Sequence, residues 1–129
     1  MHKEIISCIV VLVLVIGGNI ITQNNTNKVV DEMSVNLLNL KQEIEKDEVN
    51  NEVAKSKMEK VEQVWNKEYE TMAYYIEHNE LEKVKTELTK LKADIEVEEY
   101  TTAVENLETC GFILEHIKDK NSLKIVNLF

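Results

Sequence analysis

An apolar run of seventeen residues without a charged side chain lies at positions 5–21, close to the start of the chain. As a helix this run would extend about 25 Å, at about 1.5 Å per residue, which is the lower limit for crossing a bilayer. The rest of the chain is rich in charged residues and contains no proline. The contrast predicts an N-terminal membrane anchor over residues 1–22 and a helical bundle domain over residues 23–129.

Three interpretations of the run are open: a retained anchor, a cleaved export signal, and a buried helix of a soluble protein. The run is longer than the apolar core of a signal peptide, and no Ala-x-Ala-like cleavage site follows it. A soluble helix would carry a polar stripe, which this run lacks. We therefore expect a retained anchor that contacts membrane lipid through residues 5–21.

The charges beside the run predict its orientation. Lys3 precedes the run, whereas the first base after it, Lys28, is soon followed by Asp31 and Glu32. Because lysines close to a span favour the cytoplasmic side, we expect the N-terminus to stay in the cytoplasm. The sequence thus predicts a single-pass protein of the cytoplasmic membrane with its C-terminal domain outside.

The charge balance argues against a nucleic-acid partner. The chain carries a formal net charge of −9 and contains no arginine. Phosphate binding needs a basic face, and the planar guanidinium fork that binds phosphate bidentately is missing. The two cysteines fall in different parts of the chain, Cys8 in the apolar run and Cys110 on an apolar stripe, which predicts a buried thiol at Cys110 rather than a disulfide.

Apolar residues at helical spacing predict four amphipathic helices after the run. The first, at about 27–47, has a seam of Val30, Met33, Leu37, Leu40 and Ile44. The second, up to about His78 and longer than its neighbours, has Val53, Ala54, Met58, Val61, Trp65, Tyr69, Met72 and Ile76. The third has Leu81, Val84, Leu88, Leu91 and Ile95, and the fourth, ending near Lys118, has Val104, Leu107, Cys110, Leu114 and Ile117.

Local signals predict where these helices begin. Asn79 and Glu82 have the spacing of a capping box, and Thr102 and Glu105 repeat it. Asn121 or Ser122 would begin a short terminal turn. Short connections favour an antiparallel up-down-up-down bundle, with two stacked helical hairpins as the alternative. The predicted fold class is all-α, with an N-terminal transmembrane helix followed by about four bundle helices.

The bundle topology predicts a polar cluster of His78, Glu80 and His116 at the membrane-proximal end, beside an apolar tail that ends at Phe129. Histidine and glutamate are zinc ligands, and imidazole titrates near physiological pH. We favour another interpretation, in which His78 and His116 close their helices and complement the helix dipole. We place the candidate interaction surface at His78, Glu80, His116 and Phe129, and the alternative is a tail that only seals the base of the bundle.

The sequence contains no pattern typical of an enzyme. Its glycines, Gly17, Gly18 and Gly111, form no phosphate-binding loop, and a nucleophile elbow and paired metal-binding cysteines are lacking as well. Aromatic residues crowd one helix at Trp65, Tyr69, Tyr74 and Tyr75, which is typical of core and edge packing or, alternatively, of a partner surface. We expect no catalytic activity, no cofactor and no bound metal.

The whole chain resembles a bacterial family of unknown function. The features that carry the resemblance are the N-terminal span, Trp65, His78-Asn79-Glu80-Leu81-Glu82, Ala103, Leu114-Glu115-His116-Ile117 and Leu123-Lys124-Ile125-Val126-Asn127-Leu128-Phe129. Together they are similar to the domain-of-unknown-function family 4363, small single-span proteins of Gram-positive bacteria. This chain departs from the family pattern at Glu82, where aspartate is common, and at Glu48-Val49, where an Asp-Trp pair is common. The resemblance implies no activity.

The features above predict a structural or interaction protein. In this interpretation a membrane anchor presents an acidic helical bundle outside the cytoplasm to a membrane or envelope protein. The alternative is an extracytoplasmic ligand-sensing or metal-binding domain, and an enzyme is a further rival that would need a cleft lined by acids and bases.

Overall fold

Four helices make up the part of the chain that the structure describes. This computed structural model describes the backbone of residues 2–128 and the side chains of residues 2–121. The helices are α1 (His2–Ile44), α2 (Asn51–Ala73), α3 (His78–Glu96) and α4 (Tyr100–Leu128). No strand occurs between residues 2 and 128. The predicted all-α fold class is confirmed.

The helices form an antiparallel bundle in which each packs against two neighbours. α1 contacts α2 and α4, and α3 contacts the same two helices from the other side. Late residues of α4 meet early residues of α1, since Lys118 Nζ lies 3.4 Å from Asp31 Oδ1 while Lys41 pairs with Glu108. Neighbouring helices in sequence are therefore neighbours in space, as the up-down-up-down prediction requires.

The predicted apolar seams form the core. All five seam residues of the first predicted helix and all five of the third are buried. Within the other two seams, Val53 lies at the surface and Tyr69, Ile76 and Val104 are only partly buried. Burying such side chains stabilises the fold by about 25 cal/mol for each Å² of apolar area removed from water. This is the main source of stability for a bundle of this size.

α1 runs without a break from the apolar segment into the core, so the predicted helix start near residue 27 is wrong. The polar residues between the two parts continue the helix, and their side chains bond carbonyls of the same helix. Thr22 Oγ1 donates to Asn19 O at 3.0 Å, and Thr26 Oγ1 donates to Thr22 O at 2.8 Å. With 43 residues, α1 is about 65 Å long.

α2 is shorter than predicted and α3 begins earlier. α2 ends at Ala73, where the amide of Tyr74 turns back to Thr71 O, so both α1 and α4 are longer than α2. The residue that precedes α3 is Glu77, whose carbonyl accepts from the amides of Glu80 and Leu81. Asn79 lies inside the first turn, and the predicted capping box at Asn79 is therefore wrong.

The turn from α3 to α4 contains a left-handed residue. Glu98 has φ of 60°, and the amide of Glu99 donates to Asp94 O at 2.9 Å, the six-residue bond of a Schellman motif. α4 then begins at Tyr100, so that Thr102 is a residue of its first turn rather than its cap. α4 continues to Leu128, which replaces the predicted end near Lys118 and the separate terminal turn.

Candidate functional site

A hydrogen-bonded polar network closes the end of the bundle from which the apolar segment of α1 departs. We call this the basal end and define it by Asn25 and Thr26, the turn between α2 and α3, and Asn121. Tyr75 Oη accepts from Asn25 Nδ2 at 2.6 Å and lies 3.3 Å from Thr26 Oγ1. Asn121 Nδ2 donates to Thr26 Oγ1 at 3.0 Å. The network therefore joins α1, the turn and α4 at one level.

Glu80 is the buried member of the predicted cluster. Its side chain comes from the first turn of α3, and the residue is 7% exposed. Oε1 lies 3.6 Å from Lys83 Nζ, whereas Oε2 has no hydrogen-bond partner among the described residues. Leaving a buried polar atom without a partner costs free energy, so this oxygen marks a place where a small polar molecule would be stabilised.

Glu80 lines a small cavity at the basal end. The other lining residues are Ile76, Glu77, Ile117, Lys120 and Asn121. The cavity volume is about 20 Å³, enough for one water molecule and far too small for an organic ligand. Lys120 Nζ of α4 forms an ion pair of 3.2 Å with Oε2 of Glu77, in the turn before α3. The site can thus order a water but cannot hold a metabolite.

The two histidines lie at the surface and do not close helices. His78 is the first residue of α3, and its Nε2 lies 3.4 Å from Glu82 Oε1. His116 lies in the interior of α4 and is exposed. The prediction that His78 and His116 lie at the C-terminal ends of their helices is therefore wrong, because α2 ends at Ala73 and α4 continues to Leu128.

The helix register brings His116 near the level of His78 without joining the two side chains. The Lys120–Glu77 ion pair fixes the register of α4 against the start of α3. His116 precedes Lys120 by about one turn and is therefore level with about residue 81, one turn beyond Glu77. Both histidines lie toward the basal end, but each is exposed and they have no bond to each other. Phe129, the fourth residue of the candidate surface, lies outside the described residues.

Metal coordination has no preformed site in the described part of the chain. Among its His, Cys, Asp and Glu residues, no group of three is arranged to hold an ion.

The aromatic residues of α2 and of the turn that follows it differ in exposure. Tyr74 is 90% exposed in the turn between α2 and α3. Trp65, on α2, is 4% exposed and packs edge to face with Tyr69 at 5.9 Å between ring centroids. The aromatic cluster thus divides into core residues and one surface residue.

A groove between α2 and α3 was not predicted from the sequence. Its floor is formed by Met58 and Ile95, and its volume is about 460 Å³. Lys92 Nζ approaches Glu62 Oε1 at 3.6 Å across it. The remaining lining residues are Lys55, Glu59 and Glu96. Helical spacing alone does not reveal such a groove, because its width depends on how far apart the two helices lie.

The opposite end of the bundle, the distal end, is organised by one buried acid. Glu43 is 2% exposed, and its Oε1 accepts from the backbone amide of Asn50 at 3.2 Å. The ion pair with Lys46 and this amide hold the pKa of the Glu43 carboxyl below its usual range. The side chain fixes the connection between α1 and α2, a structural role that the local sequence around Glu43 does not indicate.

Cys110 is fully buried, as predicted. Burial in the core, with a smaller effect of Glu87, raises the pKa of the Cys110 thiol to about 12. A thiol with so high a pKa stays protonated at neutral pH and is a poor nucleophile. Cys110 therefore belongs to the core and not to a reactive site.

The apolar segment of α1 lies outside the bundle. By length and composition α1 is able to cross a membrane, and none of its most apolar stretch is buried against the rest of the chain. Core residues of α1 begin only at Thr26. The fold and the segment together define a class of protein: a four-helix bundle whose first helix extends into an exposed apolar segment.

One family model matches most of the chain. The family model described as "Domain of unknown function (DUF4363)" matches residues 20–128, from the end of the apolar segment to the end of α4. The chain therefore belongs to this family, as its motifs indicated. Neither the curated proteins nor the solved structures gave a significant match.

Proposed function

We propose that this chain is a single-pass membrane protein whose helical bundle lies outside the cytoplasm and binds a membrane or envelope protein. The observation that carries the proposal is the exposure of the apolar segment: residues 5–15 are all exposed, although most are large and apolar. Such a contiguous apolar surface is unfavourable in water and stable in lipid.

Charge supports the proposed orientation. Lys3 lies before the segment, and the acidic residues that give the chain its net charge of −9 lie almost entirely after it. The positive-inside rule then favours a cytoplasmic N-terminus and an external bundle. Because only one or two lysines produce this charge bias, the protease experiment described below measures the orientation directly.

The basal end is the surface that we propose for the partner. Tyr74 is exposed there, and exposed tyrosines are frequent in protein interfaces because one ring supplies both apolar area and a hydroxyl. His78, 73% exposed in its side chain, follows four residues later. We propose a binding role rather than catalysis, because Asn25, Thr26, Tyr75 and Asn121 are bonded to one another and the cavity at this end measures only about 20 Å³.

Membrane anchorage is tested by fractionation of cells that produce the full chain. The chain should stay in the membrane pellet after alkaline carbonate extraction, and protease added to spheroplasts should digest the bundle. A Val11→Arg, Leu12→Arg variant should move to the soluble fraction, since each arginine at the centre of a span costs about 2.5–3.5 kcal/mol. The matched control, Val35→Arg, Leu38→Arg on the exposed face of α1, should remain in the pellet. Release of the unchanged chain by carbonate would refute the anchor.

Partner binding is tested by a photo-crosslinking residue placed at Tyr74 in intact cells. We expect a specific adduct with a membrane or envelope protein. The same probe at Glu48, which is exposed between α1 and α2 at the distal end, should not form that adduct. Equal capture from both positions, or capture of cytoplasmic proteins alone, would contradict the proposed surface and orientation.

A further inference from the structure

The last helix extends beyond the base of the bundle. Asn121 is the α4 residue that bonds Thr26, yet α4 continues to Leu128. Seven more helical residues add about 10 Å to α4 at about 1.5 Å per residue. The turn between α2 and α3 lies at the level of Thr26, because Tyr75 is bonded there. Below that level only α1 and α4 continue among the described residues.

The register of α4 against α1 places this extension beside the apolar segment. Lys118 meets Asp31 and Asn121 meets Thr26, so each step along α4 is matched by a step back along α1. Continued to Leu128, the same register reaches the level of about residue 20 of α1. That level lies within the apolar run at positions 5–21.

One face of α1 is partly covered at this level. Ile16, Asn19 and Gln23 are half-buried, whereas Ile20 is 48% and Ile21 is 70% exposed. Their spacing of three and four residues continues to Thr26, the residue that faces α4. The covered face of α1 is therefore the face toward α4, and it reaches into the segment that we propose to lie in lipid.

The sequence of the extension suits a membrane interface. Residues 122–128 read SLKIVNL, with four apolar residues, one lysine and no acid. This composition departs from that of the acidic bundle above it. An interfacial helix buries apolar residues in the acyl boundary, while a lysine reaches the headgroups with its ammonium group.

The polar residues of α1 at this level also fit a shallow position in lipid. Asn19 Nδ2 donates to Val15 O at 3.0 Å, and Thr22 Oγ1 donates to Asn19 O. Each of these side chains bonds a carbonyl of its own helix. A polar group that is already paired within its helix costs less in a region poor in water.

We propose that the last two turns of α4, residues 122–128, enter the membrane interface beside α1, so that the bundle is attached to the bilayer at two places. The proposal rests on the membrane anchorage proposed above. Its ligand is the lipid bilayer itself, at the depth of the headgroups and the first acyl carbons. In this arrangement the basal end lies next to the membrane surface, and both α1 and α4 enter the bilayer.

Depth-dependent quenching in liposomes tests this arrangement with the full chain. In a Cys8→Ala background, single cysteines are introduced by Val126→Cys, Leu123→Cys, Leu12→Cys or Asp47→Cys and labelled with an environment-sensitive fluorophore. Cys110 is fully buried, so the background protein should take up no label. Quenching is measured with spin labels attached either to the lipid headgroup or deep in the acyl chain.

The expected pattern separates the inference from the proposed anchorage. Probes at 126 and 123 should lose about half of their fluorescence to the shallow quencher, the probe at 12 should respond to the deep one, and the probe at 47 to neither. Quenching at 12 without quenching at 126 and 123 would overturn the second attachment alone. No quenching at 12 would overturn the anchorage and the inference together. Circular dichroism of each labelled variant verifies that the helices are intact.

Discussion

Asn121 Nδ2 donates a hydrogen bond of 3.0 Å to Thr26 Oγ1, across 95 residues of sequence and inside the protein. The bond joins α4 to α1 at the level where the core begins. Thr26 is fully buried and Asn121 is 8% exposed, so water does not compensate either group if the other is lost. This pair fixes the register on which the position of the last two turns of α4 depends.

Thr26→Val should destabilise the bundle by about 1–3 kcal/mol, because the buried Asn121 amide loses its acceptor while the shape of the side chain is kept. The measurement is urea unfolding of the full chain in detergent micelles, followed by circular dichroism. Thr26→Ser is the matched control, since it keeps the hydroxyl. Equal stability of the Val and Ser variants would show that the hydrogen bond does not contribute.

Leu40→Ala should lower the free energy of unfolding by about 2–5 kcal/mol, whereas Leu38→Ala should change it by less than about 0.5 kcal/mol. The two leucines lie half a turn apart on α1, but Leu40 is fully buried and Leu38 is 52% exposed. The same unfolding measurement compares them. A large loss at Leu38 would mean that the outer face of α1 is covered in the folded protein.

Glu43→Gln should destabilise the protein at neutral pH and lose its effect in acid. The folded-state pKa of Glu43 lies below its usual value, so its carboxylate contributes stability above the unfolded pKa of about 4.3. That contribution disappears as the pH falls through the lower folded-state pKa. Melting temperatures of both proteins between pH 7 and pH 3 should therefore converge in acid. Glu48→Gln, at an exposed position, should show no such trend.

Glu98→Gly should stabilise the bundle by about 1 kcal/mol. Glu98 has φ of 60°, a conformation that costs a residue with a Cβ about 1–2 kcal/mol and costs glycine little. Glu96→Gly, at the last residue of α3, should instead destabilise by about 0.5–1 kcal/mol. Thermal unfolding of both variants gives the comparison, and a loss of stability at position 98 would contradict the assigned turn.

The helix faces were predictable from sequence because burial follows from spacing. Met33, Leu37 and Leu40 are a typical case, since three- and four-residue steps leave no choice of face for an amphipathic helix. The number of bundle helices followed from these seams, and short connections favoured the antiparallel order over two stacked hairpins. These properties depend on local sequence and chain connectivity alone.

Helix ends were less predictable because tertiary contacts decide them. Asn79 and Glu82 have good capping spacing, yet α3 begins two residues earlier than this box predicts, at His78, with Glu77 as its N-cap. Tyr75 bonds Asn25 and Thr26, which ties the preceding turn to α1. Several starts of α3 are locally acceptable, and contacts of this kind with another helix are not visible in the local sequence.

The candidate site was predictable only in its general position. Glu80 lies at the basal end, and its burial against Ile117 and Asn121 depends on the register of α4. The role of Asn121 was missed because its sequence context, between a lysine and a serine, is typical of a helix end. Its actual environment arises because α4 continues past it.

The uninterrupted course of α1 from residue 2 to residue 44 has a mechanical consequence. A tilt or rotation of the apolar part is transmitted directly to the side chains that α1 contributes to the core, because the helix is continuous between the two parts. Adding one residue to the helix between the two parts would turn the bundle by about 100° relative to the span. Under the proposed anchorage, the number of residues in α1 therefore sets which side of the bundle faces a neighbouring protein in the same membrane.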